Sequence, residues 1–416
     1  MEPFITNDAV VLGILLIILA SIFYTSSLSS SFWKTFYKYI PALLLCYFIP
    51  ALFHWPLGII SGEGSQLYFV ASRYLLPASL VLLCLSIDFK GILRLGPKAL
   101  IMFFAATIGV IIGGPVALWV TIVLFPGLIP LTPDELWRGL STVAGSWIGG
   151  GANQAAMKEI FEVKDNIFGS MIVVDVIVAN IWMGFLLYGA GKHQAIDKWL
   201  KADARSIDTL IQKAEAFRQK VREYPTLPKT FGMLAVAFGA VGMAHLGSDW
   251  ITPGMKNHSE FLIKYGLTSL MSPFFWLIVL ATTLGVAGSF TRLRNYEGVG
   301  ASLWGSVFIY ILVATIGMKM NLGEVFENMG LFVIGLVWML IHVVILLGVA
   351  YWIKAPFFFV AVGSQANIGG AASAPIVATA FHPSLAPVGV LMAVLGYALG
   401  TYGALICAYL MQSVAM

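Results

Sequence analysis

Apolar runs of about 20 residues, separated by short polar loops, recur along the whole chain, and that is the length one helix needs to cross the hydrocarbon core of a bilayer. They predict spans near 9–25, 40–57, 66–87, 99–126 and 167–190 and, after a polar stretch, near 230–246, 267–289, 299–318, 329–353 and 388–411. Two further apolar stretches, about 139–161 and 355–381, are long enough to cross but are packed with Gly, Ser, Asn and Gln. The expected fold is an all-α integral membrane protein with about ten transmembrane helices. Its topology turns on whether these two stretches cross.

The basic residues decide between the possibilities. If both stretches are re-entrant and the N-terminus is outside, seventeen basic residues fall inside: Lys34, Lys38, Lys90, Arg94 and Lys98, nine in the central linker from Lys192 to Lys229, and Arg292, Arg294 and Lys354. Six fall outside: Arg138, Lys158, Lys164, Lys256, Lys264 and Lys319. That is a strong positive-inside bias. If both stretches cross, the linker is thrown to the side opposite the loops at 26–39 and 88–98, and the pattern contradicts itself. Both termini are therefore expected outside and the linker cytoplasmic, in a multi-pass protein of the cell (inner or plasma) membrane. Five crossings per half is an odd number, so residues 230–416 must insert upside down relative to residues 1–190. Linker residues Ala195 to Glu223 have helix-forming composition, end at Pro225 and Pro228, and are expected to form a cytoplasmic surface helix joining the halves.

Composition agrees with a lipid solvent. Apolar residues are 59% of the 416, charged residues only 11%, and mean hydropathy is +0.89, whereas a soluble domain carries roughly 25% charge. The net charge of +4 says little about partners. Cys46, Cys84 and Cys407 lie in apolar runs at spacings that fit neither a disulfide framework nor a metal site. Met1 to Asp8 holds no Lys or Arg, so the first apolar run is expected to be a retained helix rather than a cleaved signal.

The two unusual stretches match each other. One reads Gly145-Ser146-Trp147-Ile148-Gly149-Gly150-Gly151-Ala152-Asn153-Gln154, the other Gly363-Ser364-Gln365-Ala366-Asn367-Ile368-Gly369-Gly370-Ala371-Ala372-Ser373. Both open Gly-Ser and continue Ile-Gly-Gly-small-Ala-polar, as an internal repeat of a transporter would. Consecutive glycines are poor helix formers and allow close backbone approach to a ligand. Irregular backbone survives in a membrane only where protein or a water-filled cavity supplies its partners. Each stretch is therefore expected to form two half-helices meeting at an unwound tip. Half-helix N-termini suit a carboxylate, and unwound carbonyls suit Na⁺ or another cation. The expected solute-binding residues are Ser146, Gly149, Gly150, Gly151, Asn153, Gln154, Ser364, Gln365, Asn367, Gly369, Gly370 and Ser373.

Asp175 stands near the middle of its span, where an ionisable residue costs about 2.5–3.5 kcal/mol on insertion scales and marks function by default. Asn180 follows five residues on; in the other half the positions 220 residues along are Leu395 and Gly400, with Thr401 next. The symmetry breaks at the acid, and Asp175, Asn180 and Thr401 are the expected ion-coupling residues. Arg73 is expected to snorkel or pair structurally, Asp88 to serve a loop, and His54 and His342 to be structural. Trp55 and Trp250 fit interfacial belts, and Pro77, Pro115 and Pro273 lie within spans. No phosphate-cradling loop, Cys/His metal spacing or nucleophile elbow is present in the sequence, so no enzyme activity, cofactor or nucleic-acid partner is expected.

The two glycine stretches resemble those of the YjcL-like membrane proteins (domain of unknown function 819) over nearly the whole chain and, more distantly, those of the sodium/glutamate and 2-hydroxycarboxylate symporters. The Gly-Gly-x-Gly element of the symporters is reproduced in part at Gly149-Gly150-Gly151 and Gly369-Gly370-Ala371. The resemblance implies inverted five-helix repeats, Na⁺ coupling, homodimers and an elevator motion. In its terms residues 1–190 comprise scaffold 9–57 and core 66–190 with re-entrant 139–161. Residues 191–229 are the linker, and 230–416 comprise scaffold 230–289 and core 299–411 with re-entrant 355–381. The expected function is symport of a small anionic or zwitterionic solute with a cation, Na⁺ favoured over H⁺. A cation/proton antiporter using Asp175 is the alternative, and an intramembrane enzyme or receptor the alternative of another class.

Overall fold

The computed structural model describes residues 3–40, 42–62, 64–125, 127–129, 131–202, 225–265, 267–325, 330–382 and 385–415. Helices form at every predicted span: α1 (Asp8–Ser27), α2 (Ala42–His54), α3 (Leu67–Leu85), α4 (Pro97–Leu124), α7 (Asp165–Ala190), α8 (Leu227–Lys256), α9 (Pro273–Ser289), α10 (Ala301–Gly317), α11 (Leu331–Ile353) and α14 (Ala386–Ala415). The two glycine stretches supply four shorter helices: α5 (Pro133–Gly149) and α6 (Gly151–Ile160), then α12 (Phe357–Ile368) and α13 (Gly370–Phe381). Among the described residues there is no β-strand, only a lone bridge between Ile5 and Ile60.

Seven of these helices are long and apolar enough to cross a membrane. The number rises to nine if α2 is joined to the helix at Ser31–Tyr37 before it, and α9 to the turn at Arg292–Val299 after it. The predicted ten is not reached by length. α10 has 17 residues, about 25 Å at 1.5 Å per residue against a core of about 30 Å. Of the linker helix expected over Ala195–Glu223, only the start, within His193–Trp199, is seen; residues 203–224 lie outside the described residues.

Local chemistry sets the helix ends. Asn7 accepts from the N–H groups of Ala9 and Val10 to start α1. Thr132 and Glu135 close a capping box ahead of Pro133 at the start of α5. Inside α3 the five residues Ala71–Leu75 form a π-helical turn carrying Arg73.

The helices pack as two groups. α4, α5, α6, α7, α11, α12, α13 and α14 contact one another, while α1, α2, α3, α8, α9 and α10 form a second set. The spans near 66–87 and 299–318, expected in the core, pack with the second set. α3 and α10 face each other there, with Leu83 and the Ser79 carbonyl against Gly305, and α3 meets α9 where Val81 and Cys84 abut Gly285. α14 is central, with 67% of its apolar window buried, whereas α1 and α8, each 28% buried, present most of theirs outward.

Candidate functional site

The chain turns back twice within the first group. α5 ends at Gly149, and Gly150 adopts φ +77°, ψ −175°, a conformation that L side chains rarely allow. In a continuous helix residues eight apart lie about 12 Å apart, yet a Cβ on Gly145 would sit 2.6 Å from the carbonyl oxygen of Asn153. α5 and α6 are thus the two arms of a hairpin. At the second break Gly370 has φ +59°, and the Gln365 amide donates to Ser373 Oγ at 2.8 Å across the same eight-residue separation.

Both hairpin tips land on the middle of α14. A Cβ on Gly396 would lie 3.0 Å from the Ile148 carbonyl oxygen and 3.2 Å from that of Ala366, so the two hairpins touch one point of that helix. A Cβ on Gly149 would lie 2.5 Å from the Cα of Gly400, a backbone-to-backbone approach that any side chain would prevent.

An amide clamps each hairpin to a long neighbour in the same way. Asn153, fully buried, donates through Nδ2 to the carbonyls of Gly149 (3.1 Å) and Tyr397 (3.3 Å), while its Oδ1 accepts from Thr401 at 2.6 Å. Asn367, also fully buried, donates to Gly363 (3.0 Å) and Phe103 (3.2 Å) and accepts from Thr107 at 2.7 Å. In both cases the amide bonds the carbonyl four residues back, for Asn367 within its own helix and for Asn153 across the break, at the end of α5. It also bonds a carbonyl on the partner helix and the threonine four residues beyond it, two groups that neighbour each other on that helix. Both amide hydrogens of each asparagine are committed to these contacts.

Asp175 on α7 ties the arms of the first hairpin together. Its carboxylate, 4% exposed, accepts from Trp147 Nε1 on α5 at 2.6 Å and from Gln154 Nε2 on α6 at 2.9 Å; the Ser146 hydroxyl also bonds it. Ser364, in the second hairpin, accepts from Trp182 Nε1 at 2.8 Å and bonds His342 Nε2 at 2.8 Å. His342 therefore joins the polar shell that the sequence left as isolated residues.

The tips border open space. A Cβ on Gly151 or Gly370 would meet no atom within 4 Å, and one on Gly150 would meet only the Tyr397 ring at 3.8 Å. Neither α6 nor α13 has a side-chain cap on its N-terminus, and Gln365 Oε1 is buried without a hydrogen-bond partner. Uncapped half-helix N-termini carry partial positive charge, and an orphaned amide oxygen is a ready acceptor or cation ligand.

Of the predicted residues, Gly149, Asn153 and Thr401 meet at α14, Asp175 and Gln154 pair behind the first hairpin, and Asn367 and Ser364 turn to α4 and to α7 and α11. Asn180 stands apart: its side chain bonds the Val176 carbonyl of its own helix at 2.6 Å and joins neither hairpin. Thr107, Trp147, Trp182 and Thr282, the last 3.2 Å from Thr401, belong to the assembly and were not anticipated. Single Thr and Trp residues inside apolar runs carry no spacing signal. Arg73 pairs with Glu159 at 2.7 Å and Asp88 with Arg294 at 2.9 Å.

Fold and site together define a polytopic α-helical membrane protein with two broken helical hairpins converging on one central helix. Residues 13–414 match the family described as "Protein of unknown function (DUF819)", and the chain belongs to that family. It is similar to the Bacillus subtilis (strain 168) protein described as "Uncharacterized membrane protein YjcL", with 24% identity over 354 residues, 83% of each chain.

Proposed function

We propose that the protein is a secondary active transporter that carries a small anionic or zwitterionic solute (an amino acid, short peptide or organic acid) together with a cation, Na⁺ in preference to H⁺. The observation that carries this reading is the meeting of two broken hairpins on α14, where uncapped half-helix N-termini border open space, with a buried carboxylate, Asp175, bonded to both arms of the first hairpin. N-termini of half-helices attract a carboxylate, and neutral oxygens with one acid suit Na⁺. In this reading the halves are inverted repeats, and the group containing both hairpins moves against the group of α1, α2, α3, α8, α9 and α10 in an elevator motion. The outer group also supplies the homodimer contact.

The test is uptake into proteoliposomes. Substituting Gly149, Gly369 or Asn153 is expected to abolish uptake while leaving membrane insertion intact. Uptake that survives all three substitutions means the solute binds elsewhere. A second reading, cation/proton antiport through Asp175, draws on the burial of that carboxylate. It requires Asp175→Asn to remove pH-dependent ion exchange with no organic solute present.

A further inference from the structure

Away from the hairpin tips, a half-buried ionic cluster, with the buried Lys158 at its centre, joins the two helix groups. Lys158 and Glu159 lie near the end of α6 and Asp165 opens α7, all in the hairpin-bearing group. Tyr68 and Arg73 on α3 and Lys319 after α10 belong to the other group. Arg73 Nη1 meets Glu159 Oε2 at 2.7 Å and Lys319 Nζ meets Asp165 Oδ2 at 3.2 Å, so each pair crosses the boundary. Lys158 Nζ links them, 2.9 Å from Asp165 Oδ1, 3.6 Å from Glu159 Oε1 and 2.9 Å from the Tyr68 hydroxyl. Tyr68 also hydrogen-bonds Glu159, and the Lys319 ammonium lies 4.2 Å from the centre of the Tyr68 ring. The side chain of Lys158 is only 6% exposed.

Desolvated ion pairs do not in general stabilise a fold more than apolar packing of the same volume, but breaking one leaves an uncompensated buried charge. Such pairs give a boundary two discrete states, made or broken, where apolar contacts would let it slide. Among the described residues, the ion pairs Arg73–Glu159 and Lys319–Asp165 cross between the groups, and both lie at one end of the boundary. Asp88–Arg294 stays within the outer group and Glu135–Lys164 within the hairpin group. Elsewhere the boundary is bridged by hydroxyls, Thr282 to Thr401 at 3.2 Å and Thr283 to Tyr402 at 2.7 Å. Arg73 is set in the π-helical turn of α3, a local departure from α geometry of a kind frequent at functional sites.

We infer that the Arg73–Glu159–Lys158–Asp165–Lys319 cluster is a latch that fastens the hairpin group to the outer group on the Lys158 face and must break for the groups to move. The inference rests on the relative motion contained in the transporter reading, and its test reads that motion without any solute. Cys46, Cys84 and Cys407 are replaced by Ala, and a single cysteine is placed at Thr282, a boundary position with 0% exposure. Its reaction with a membrane-permeant maleimide then reports how often the boundary opens. Glu159→Gln or Asp165→Asn is expected to speed labelling by about tenfold or more. A cysteine at Ser79, buried inside the outer group where it bonds the Leu76 carbonyl, keeps its rate. The exchanged pair Arg73→Glu with Glu159→Arg returns labelling at Thr282 toward the starting rate. Unchanged labelling at Thr282 in both single variants overturns the latch, as does a parallel rise at Ser79, which would mark general loosening. With uptake read in the parent protein that keeps Thr282, unchanged labelling beside intact uptake removes the latch alone. Faster labelling beside no uptake by that parent removes the transport reading alone.

Discussion

Three consecutive glycines at the tip of the first hairpin should answer to alanine in three different ways. At Gly149 a Cβ would lie 2.3 Å from Asn153 Nδ2, 2.5 Å from the Gly400 Cα and 2.8 Å from the Gly396 carbonyl oxygen. Two of the three obstacles are backbone, so α5 must move off α14. Overpacking of this kind costs about 1–3 kcal/mol. Displacing Asn153 from the Tyr397 carbonyl adds about 1–3 kcal/mol for a buried group left unpaired, so Gly149→Ala should destabilise by about 2–6 kcal/mol. At Gly150 there is room, the nearest atom being 3.8 Å away, but φ +77° with ψ −175° costs a side-chain-bearing residue about 1–3 kcal/mol. At Gly151, in the first turn of α6, neither obstacle exists. Alanine there gains up to about 1 kcal/mol of helix propensity and should be neutral or stabilising. Thermal unfolding of the three purified variants in one detergent gives the order directly. If Gly151→Ala proves as damaging as Gly149→Ala, the close approach of α5 to α14 is not what selects glycine here.

Four further outcomes are expected. Thr107→Val removes the hydroxyl that donates to Asn367 Oδ1 and should cost about 1–3 kcal/mol in chemical unfolding; Thr401→Val, at the corresponding clamp, should cost a similar amount. Asp197→Ala removes the carboxylate that accepts from the Phe357 N–H at 2.7 Å. The loss should be about 0.5–2 kcal/mol, with faster amide hydrogen exchange confined to the first turn of α12. Glu135 is held below the ordinary value of 4.5 by its hydrogen bond from Lys164, with Thr132 next. The stability this lends is present above the unfolded value and lost as pH falls through the lower folded one, so Glu135→Gln should lower Tm at neutral pH, change it little below the folded value, and so flatten the acid side of the Tm–pH curve. Asp175→Asn keeps the shape of the carboxylate but replaces one acceptor oxygen by a donor facing Trp147 Nε1 or Gln154 Nε2. It should lower Tm even without any ion or solute.

Much of this architecture was legible in the residues because lipid imposes length. Runs of about 20 apolar residues became helices at each predicted position, and two Gly-rich runs became hairpins, since backbone in a membrane has few other ways to satisfy its hydrogen bonds. Gly150 and Gly370 carry positive φ, which is why the breaks fall where the repeat placed them. What the sequence could not show is which helices share a group. α3 and α10 look like any other apolar run, and their place with α2, α8 and α9 follows from side-chain fit at positions such as Gly305 and Gly285. Asn153 and Asn367 stood out as amides in apolar surroundings, but their threonine partners lie 248 and 260 residues away, beyond any local pattern. Asn180, placed with the ion by its distance from Asp175 alone, turns back on its own helix. The partners of Arg73 and Lys158 were visible only as scattered charges, because a charge in sequence does not announce what it will meet.

Cation dependence of stability tests the central claim most directly. Purified protein is unfolded thermally in NaCl, KCl and choline chloride at equal ionic strength, with and without a panel of amino acids, short peptides and organic acids. Expected is saturable stabilisation by Na⁺ that Asp175→Asn removes, together with a solute whose stabilising effect requires Na⁺. Equal Tm in all three salts, with no solute raising it, would contradict a cation-coupled site at the hairpin tips.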